Sequence, residues 1–238
     1  MLDDISFDVK EREFLSILGP SGCGKTTLLK VIAGLMKPDS GSVLFDGVEE
    51  KMGHNRVAVI FQQESLFPWL TVEANIEFGL DIKGVPAEER KRRSSELVKL
   101  VGIQGLEDHY PHEISGGQAR KVEMARCLVT SPDLLASDEG FSNLDAQTRN
   151  YLQEEFLRVW DQTGSTVLFV THNVDEAVFM SDRILVLSNM PSKIIAEYVV
   201  SLPRPRVRAS NESREYRAKI LEVLRAEQEK ALRAQMLD

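Results

Sequence analysis

The chain has 238 residues and a mass of 26.8 kDa, with 42% hydrophobic and 28% charged side chains, which excludes fibrous, collagen-like and wholly disordered classes. Lys plus Arg total 29 against 37 for Asp plus Glu, and the resulting formal charge of -8 excludes a nucleic-acid surface over the whole molecule. Two cysteines make no disulfide framework, and no apolar run nears the roughly 18 residues of a membrane span, so a soluble chain with free thiols in a reducing compartment is expected.

Ile5, Phe7 and Val9 alternate as a strand does, and after a turn Phe14, Ser16, Ile17 and Leu18 form a second strand running into a glycine-rich stretch. Leu28, Leu29, Ile32 and Leu35 predict a helix over 27–35. Residues 41–45 read as a strand closed by an Asp46-Gly47 turn, and 57–61 as a short, continuously apolar, buried strand. Helical patterns follow over 71–80 and 86–101, the second opening on Val85-Pro86 and carrying Arg90-Lys91-Arg92-Arg93, a run that reads as a solvated face. Strand and helix then alternate: strand 134–137, helix 145–161, strand 166–170, a helix to about 180, and strands 184–187 and 194–200. That alternation is the mark of a mostly parallel sheet covered by helices. Leu202-Pro203-Arg204-Pro205-Arg206 interrupts regular structure, and 212–236 reads as a charged terminal helix.

The strongest chemical signal is Gly19-Pro20-Ser21-Gly22-Cys23-Gly24-Lys25-Thr26, which fits G-x-x-x-x-G-K-[ST] between a predicted strand and a predicted helix. Glycines let backbone N–H groups wrap phosphate, and the helix N-terminus adds partial positive charge. Lys25 reaches the β and γ phosphates, and the Thr26 hydroxyl can ligate Mg²⁺. Leu134-Leu135-Ala136-Ser137 is an apolar strand ending in Asp138-Glu139. Such an ending is often merely solvated. Behind a phosphate loop it supplies Asp138 to hold Mg²⁺ and Glu139 to polarise the attacking water. The third signal is Ile114-Ser115-Gly116-Gly117-Gln118, leading into Val122, Ala125, Leu128 and Val129 at helical spacing. Ser115 can cap that helix, and the two glycines leave its first N–H groups bare as a second anion site. One chain with one phosphate loop has no use for two, so Ser115 is expected to complete the nucleotide pocket of another copy.

Taken together, the phosphate loop, Phe61-Gln62-Gln63, the Ser115 motif, the Asp138-Glu139 strand, Ser142-Asn143-Leu144-Asp145 and Thr171-His172 resemble, in order and spacing, the ATPase subunits of ABC transporters over nearly the whole chain. The resemblance implies an α/β fold: a P-loop NTPase core with a mostly parallel sheet, an N-terminal antiparallel β part and an inserted all-helical subdomain. The core would cover 1–70 and 114–205, the insertion 71–113 with the signature helix continuing to about 130, and the charged helix 206–238. It further implies that Gly19 through Thr26 and the adjoining Thr27 bind ATP. Gln62 would touch Mg²⁺ and the attacking water, Ser115 and Gly117 would meet the γ phosphate of a partner's ATP, and Gly116 and Gln118 would bind the nucleotide beside them. Asp145 would link the two sites across the dimer, and His172 would act as the switch histidine.

The implied activity is ATP hydrolysis with Mg²⁺ in a head-to-tail dimer with itself or a paralogous ATPase subunit. Its partners would be integral membrane permease subunits and, indirectly, a solute-binding protein, with no nucleic acid, at the cytoplasmic face of the cell membrane. Leu66-Phe67-Pro68-Trp69 and the 191–206 stretch resemble importers of nitrate, sulfonates, taurine and similar small solutes. A soluble ABC protein working mechanically and a small-molecule P-loop kinase are the alternatives. The first usually joins two ATPase units or carries a long coiled coil, and the second gives the Ser115 motif no purpose.

The chain also departs from the family. The family's strand bearing an adenine-stacking aromatic residue falls ahead of Met1; stacking is worth roughly 1 to 3 kcal/mol, so about 5- to 150-fold weaker ATP binding is expected unless another group stands in. Gly140 replaces the proline after the catalytic glutamate and is expected to loosen the backbone beside Glu139 and slow turnover. Ile114 replaces leucine, and Glu11-Arg12 replaces a Pro-Gly turn. His54, His109 and His112 have no metal spacing and read as surface or loop residues. Cys23, inside the phosphate loop, is expected to be accessible to alkylation, and Cys127 to lie in the core.

Overall fold

The structure is a computed structural model that describes residues 2–142 and 144–235, with side chains through 230. Met1, Asn143 of the Ser142-Asn143-Leu144-Asp145 motif and Met236 of the expected terminal helix lie outside the described residues. The elements run β1 (Phe14–Leu18), α1 (Lys25–Ile32), β2 (Leu44–Phe45), β3 (Val48–Glu49), β4 (Val57–Ile60), α2 (Val72–Ile82), α3 (Ala87–Val101) and α4 (Gly116–Leu128). They continue with β5 (Leu134–Asp138), α5 (Ala146–Thr163), β6 (Val167–Thr171), α6 (Val174–Met180), β7 (Arg183–Leu187), β8 (Ile194–Val199) and α7 (Asn211–Gln235). The chain divides into two compact units, Met1–His54 with Thr166–Asp238, and Asn55–Ser165.

In the first unit β1 is flanked by parallel partners, β6 on one side and β7 on the other, so all five of its residues are buried. Burial on both faces is why FLSIL reads as an apolar run, broken only by buried Ser16, rather than an alternation. β8 pairs antiparallel with β7, and with one face toward solvent it alternates half-buried and exposed residues. β2 and β3 form a hairpin whose Asp46 and Gly47 both have positive φ, 53° and 78°, the signature of a type I′ turn. The expected strand at Ile5, Phe7 and Val9 is not formed: these three are half-buried and their neighbours exposed, but residues 5–10 make no ladder among the described residues. Alternation of burial does not make a strand without a paired backbone.

α1 also stops short of the predicted 35. Leu35 N and Met36 N fold back onto Lys30 O, and Gly34 takes φ 68°, so the apolar period outruns the helix and leaves Leu35 exposed. Leu202-Pro203-Arg204-Pro205-Arg206 is irregular, as expected, but it is far from idle. Buried Arg206 donates to Val178 O (2.8 Å), Phe179 O (3.3 Å), Ser181 O (2.6 Å), Val200 O (3.0 Å) and Leu202 O (3.3 Å). Arg204 adds donations to Met180 O and to the Asp182 carboxylate. The carbonyls that every helix leaves unpaired at its C-terminus are satisfied here, on α6, by two arginines. α7 docks through Ile220, which joins Leu18, Val174, Ile184 and Val186 in one cluster, with Tyr216 and Leu224 one turn to either side.

In the second unit β4 and β5 pair in parallel, Ile60 opposite Ser137. β4 is half-buried rather than buried over its first three residues, because its pairing partner among the described residues is β5 alone. Thr71 caps α2 by accepting from Ala74 N, Pro86 opens α3, and Gly102 closes it in the left-handed region. Buried Asn75 accepts from Phe67 N at 2.8 Å and donates to Phe67 O, Leu70 O and Thr71 O, fixing the turn before α2. Arg92 and Arg93 pair with Glu89 and Glu96 along α3, while Arg90 reaches Glu77 and Asp81 of α2. The charge run is therefore mainly a solvated, ion-paired helix face, with Arg90 bridging to the next helix.

Candidate active site

The first unit carries the phosphate loop and His172. Gly22 (φ 79°) and Gly24 (φ 97°) sit in the left-handed region, which non-glycine residues enter only at a cost, and this turns residues 19–24 between β1 and α1. Gly24 is the N-cap of α1 and has no side chain to cap with, leaving the first N–H groups of the helix for an anion. Buried Lys25 donates to Gly19 O at 2.9 Å and Pro20 O at 2.8 Å, so its ammonium lies within the loop it serves, while Thr26 is exposed and Thr27 half-buried. Cys23 corrects the sequence expectation: it is 2% exposed, packed inward beneath the loop, with its thiol 4.0 Å from Lys25 Nζ. Burial pushes its thiol up from the ordinary range against the opposing pull of Lys25, so neither access nor ionisation favours alkylation. His172 is exposed just past the end of β6, where Thr171 Oγ1 donates to Glu176 and Asn173 caps α6.

The second unit gathers Gln62, Asp138 and Glu139. Gln62 Nε2 donates to Glu139 Oε2 at 3.3 Å, and Asp138 is buried as the last residue of β5. Glu139 has φ 47°, a left-handed conformation that costs a non-glycine residue about 1 to 3 kcal/mol and persists only when neighbours enforce it. Ser142 enforces it from one side, its N–H and hydroxyl both donating to Glu139 O, at 3.0 and 2.9 Å. Gly140 does not have positive φ. A Cβ there would lie 2.6 Å from Ser137 Oγ and 3.7 Å from Ile60 Cγ2, so glycine supplies close approach instead of the backbone looseness expected from the sequence.

Ser115 caps α4 in a capping box: its hydroxyl accepts from Gln118 N at 3.3 Å, and Ser115 N donates to Gln118 Oε1 at 2.8 Å. Gly116 and Gly117 follow as the first helical residues. Asp145 caps α5 by accepting from Gln147 N and Thr148 N, each at 3.0 Å, and hydrogen bonds from Thr148 hold its carboxyl below the usual range. His109 and His112 are exposed and His54 lies in a loop, as expected, the last half-buried with its Nε2 3.1 Å from Ile32 O. Cys127 is buried and its thiol is pushed up to about 12 by burial.

Sequence reasoning missed a polar network that holds the Gln62 loop. Arg120 donates to Phe61 O at 2.7 Å, to Gln62 O, and to Glu123 Oε2 at 2.7 Å. Glu123 in turn accepts from Ser65 N at 2.5 Å and Ser65 Oγ at 3.0 Å, and Arg126 donates to Ser65 O at 2.8 Å. Arg120 and Glu123 are 7% and 0% exposed. Opposite charges three residues apart, among the apolar positions Val122, Met124 and Ala125 of the helix, were the available signal.

A glycine-rich loop between a strand and a helix with a buried lysine, together with a strand ending in two acids, defines an α/β phosphate-loop ATPase. The family model described as ABC transporter matches residues 2–142. The chain therefore belongs to the ABC transporter family, as an ATP-binding, ATP-hydrolysing domain. An uncharacterized ABC transporter ATP-binding protein of Methanocaldococcus jannaschii is 50% identical over 232 residues, 98% of this chain and 87% of that protein. An aliphatic sulfonates import ATP-binding protein of Bacillus cereus is 42% identical over 222 residues, 93% of this chain and 87% of its own. Among solved structures, a dimeric ATP-binding cassette in a post-hydrolysis state with ADP and Pi superposes with a TM-score of 0.72 at 30% identity, covering 85% of this chain and 91% of that one.

Proposed function

We propose that this chain is the ATPase subunit of an importer of a small solute such as a sulfonate, taurine or nitrate, driven by ATP-dependent head-to-tail dimerisation. The observation that carries the reading is the contact of Gln62 with Glu139 beside the buried Asp138, which puts a polar positioning group against the candidate base. Lys25 and the backbone N–H groups of residues 19–27, Pro20 excepted, hold the phosphates, since each brings positive charge or a donor to an oxyanion. Glu139 takes the proton of the attacking water, Gln62 orients that water, and His172 steadies the γ phosphate.

Thr26, Gln62 and Asp138 offer only oxygen donors, and among the described residues no cluster of three His, Cys, Asp or Glu forms a closed cage. This set suits Mg²⁺, which keeps phosphate and water oxygens as ligands and neutralises charge developing on the phosphates. Ser115, Gly116, Gly117 and Gln118 present a capped helix start to the partner's γ phosphate, and Asp145 lies at the start of α5 to link the paired sites. The helical segment 71–113 receives the membrane permease, whose own partner is a solute-binding protein. The core spans 1–70 and 114–205, and the charged terminal segment 206–238 carries α7. No helix among the described residues is long and apolar enough to cross a membrane. In this reading the chain attaches to the cytoplasmic face of the membrane through the permease.

The test is the mass in solution of Glu139→Gln with and without ATP. Blocked hydrolysis should trap the closed pair, giving a shift from monomer to dimer that Ser115→Ala abolishes. A monomer at saturating ATP would refute the trans assignment of Ser115.

A further inference from the structure

The segment around Glu139 combines three observations that the hydrolytic scheme does not use. Glu139 is held at φ 47°, Gly140 is buried without positive φ, and the hydroxyl of Ser137 stands 2.6 Å from where a Cβ of residue 140 would be. Atoms do not approach that closely without a hydrogen bond, and a Cβ makes none, so the two groups exclude each other. Ser137 is 1% exposed, and with Ile60, Gly140 and Phe141 it lines a small cavity toward which its hydroxyl would have to turn to make room. Ile60, opposite Ser137 in the β4–β5 ladder, stands 3.7 Å from the same point and leads into Gln62 two residues later. With the Ser137 hydroxyl where it stands, the turn closes on β5 only because residue 140 has no side chain, and its other side is tied by Ser142 to Glu139 O.

We propose that Ser137 and Gly140 are a matched pair of positioning residues: the hydroxyl at 137 fills the volume that a side chain at 140 would take, and this fit sets where the Glu139 carboxylate stands against Gln62. The proposal rests on Glu139 being the base. Adding a methyl group at 140 pushes the turn away from β5 and carries Glu139 with it. Removing the hydroxyl at the same time moves one heavy atom from 137 to 140 and conserves the packed volume. The two substitutions are therefore strongly non-additive, as contacting residues are.

The experiment compares the full chain with Gly140→Ala, Ser137→Ala, the double variant Ser137→Ala/Gly140→Ala, and Glu139→Gln as the floor. Hydrolysis is followed against ATP concentration, with ATP affinity and Tm measured separately. Gly140→Ala should lower kcat by about tenfold or more with KM within about twofold, because a displacement of about 1 Å at a reacting group costs on the order of 100-fold. The double variant should recover to within about threefold of Ser137→Ala, since the volume is restored. Full kcat in Gly140→Ala, a double variant as slow as Gly140→Ala, or a loss shared by KM, affinity and Tm each overturns the matched pair. A parent no faster than Glu139→Gln instead removes Glu139 from the chemistry, and the pair's role with it. The parent rate thus separates that failure from failure of the pair alone.

Discussion

Glu123→Ala is expected to be among the most destabilising single substitutions in the second unit. The carboxylate is 0% exposed and accepts from Ser65 N, Ser65 Oγ and Arg120, which is itself 7% exposed. Deleting it leaves a buried guanidinium facing no anion and the half-buried Ser65 amide and hydroxyl without this acceptor. Breaking one side of a buried ion pair costs about 3 to 5 kcal/mol. At about 2 to 4 °C per kcal/mol for a chain this long, Tm should fall by roughly 6 to 20 °C. Glu123→Gln keeps an oxygen for Ser65 but loses the charge, so about half that loss is expected. Thermal unfolding followed by circular dichroism at pH 7 measures both, and the loss should hardly change between low and high salt because a buried pair is weakly screened. Pairing Arg120→Met with Glu123→Leu should restore much of the stability, since no lone charge remains, while releasing Gln62 O and slowing hydrolysis. A fall in Tm below about 2 °C for Glu123→Ala, less than 1 kcal/mol at this chain length, would refute the network as a clamp on the Gln62 loop.

Both thiols should react slowly with Ellman's reagent in the folded chain at pH 8 and fully after denaturation, since Cys23 is buried and raised and Cys127 is pushed up to about 12. Stoichiometric labelling of the folded chain within the mixing time would contradict the placement of Cys23. Hydrogen bonds from Arg92 and Arg93 hold the Glu89 carboxyl at about 2, below its ordinary 4.5. A carboxyl lowered by folding stabilises the fold fully above its unfolded value and loses that contribution as pH falls through the folded value. Glu89→Gln should therefore flatten the acid limb of the stability curve between about 4.5 and about 2, and an unchanged slope in urea titrations there would count against the pairing. Arg206→Ala exposes the α6 carbonyls to no donor at about 1 to 3 kcal/mol for each buried one left unpaired. Arg206→Lys should recover only part of the loss, because one ammonium cannot reach acceptors on both flanks, and full recovery of Tm would show that charge alone matters.

The local features were legible in the sequence because their partners lie within a few residues. Thr71, Ser115 and Asp145 cap the helices that follow them, Asp46-Gly47 makes its turn, and the phosphate loop sits between strand and helix at the spacing its chemistry requires. The half-buried positions at Ile5, Phe7 and Val9 were legible too, but the ladder they suggested was not formed, since a pattern of burial does not specify a backbone partner. What the tertiary structure alone decided depends on packing that the local pattern does not carry, much of it between residues far apart in the chain. Arg120 meets Phe61 O across 59 positions, Arg206 reaches the α6 carbonyls across 25 to 28, and Cys23 turns inward beneath its own loop. Gly140 shows the difference most sharply. Its lack of a side chain predicts freedom when read by itself, yet its backbone stands so near Ser137 that the same lack becomes a constraint, because what a missing side chain permits is set by what packs into its place.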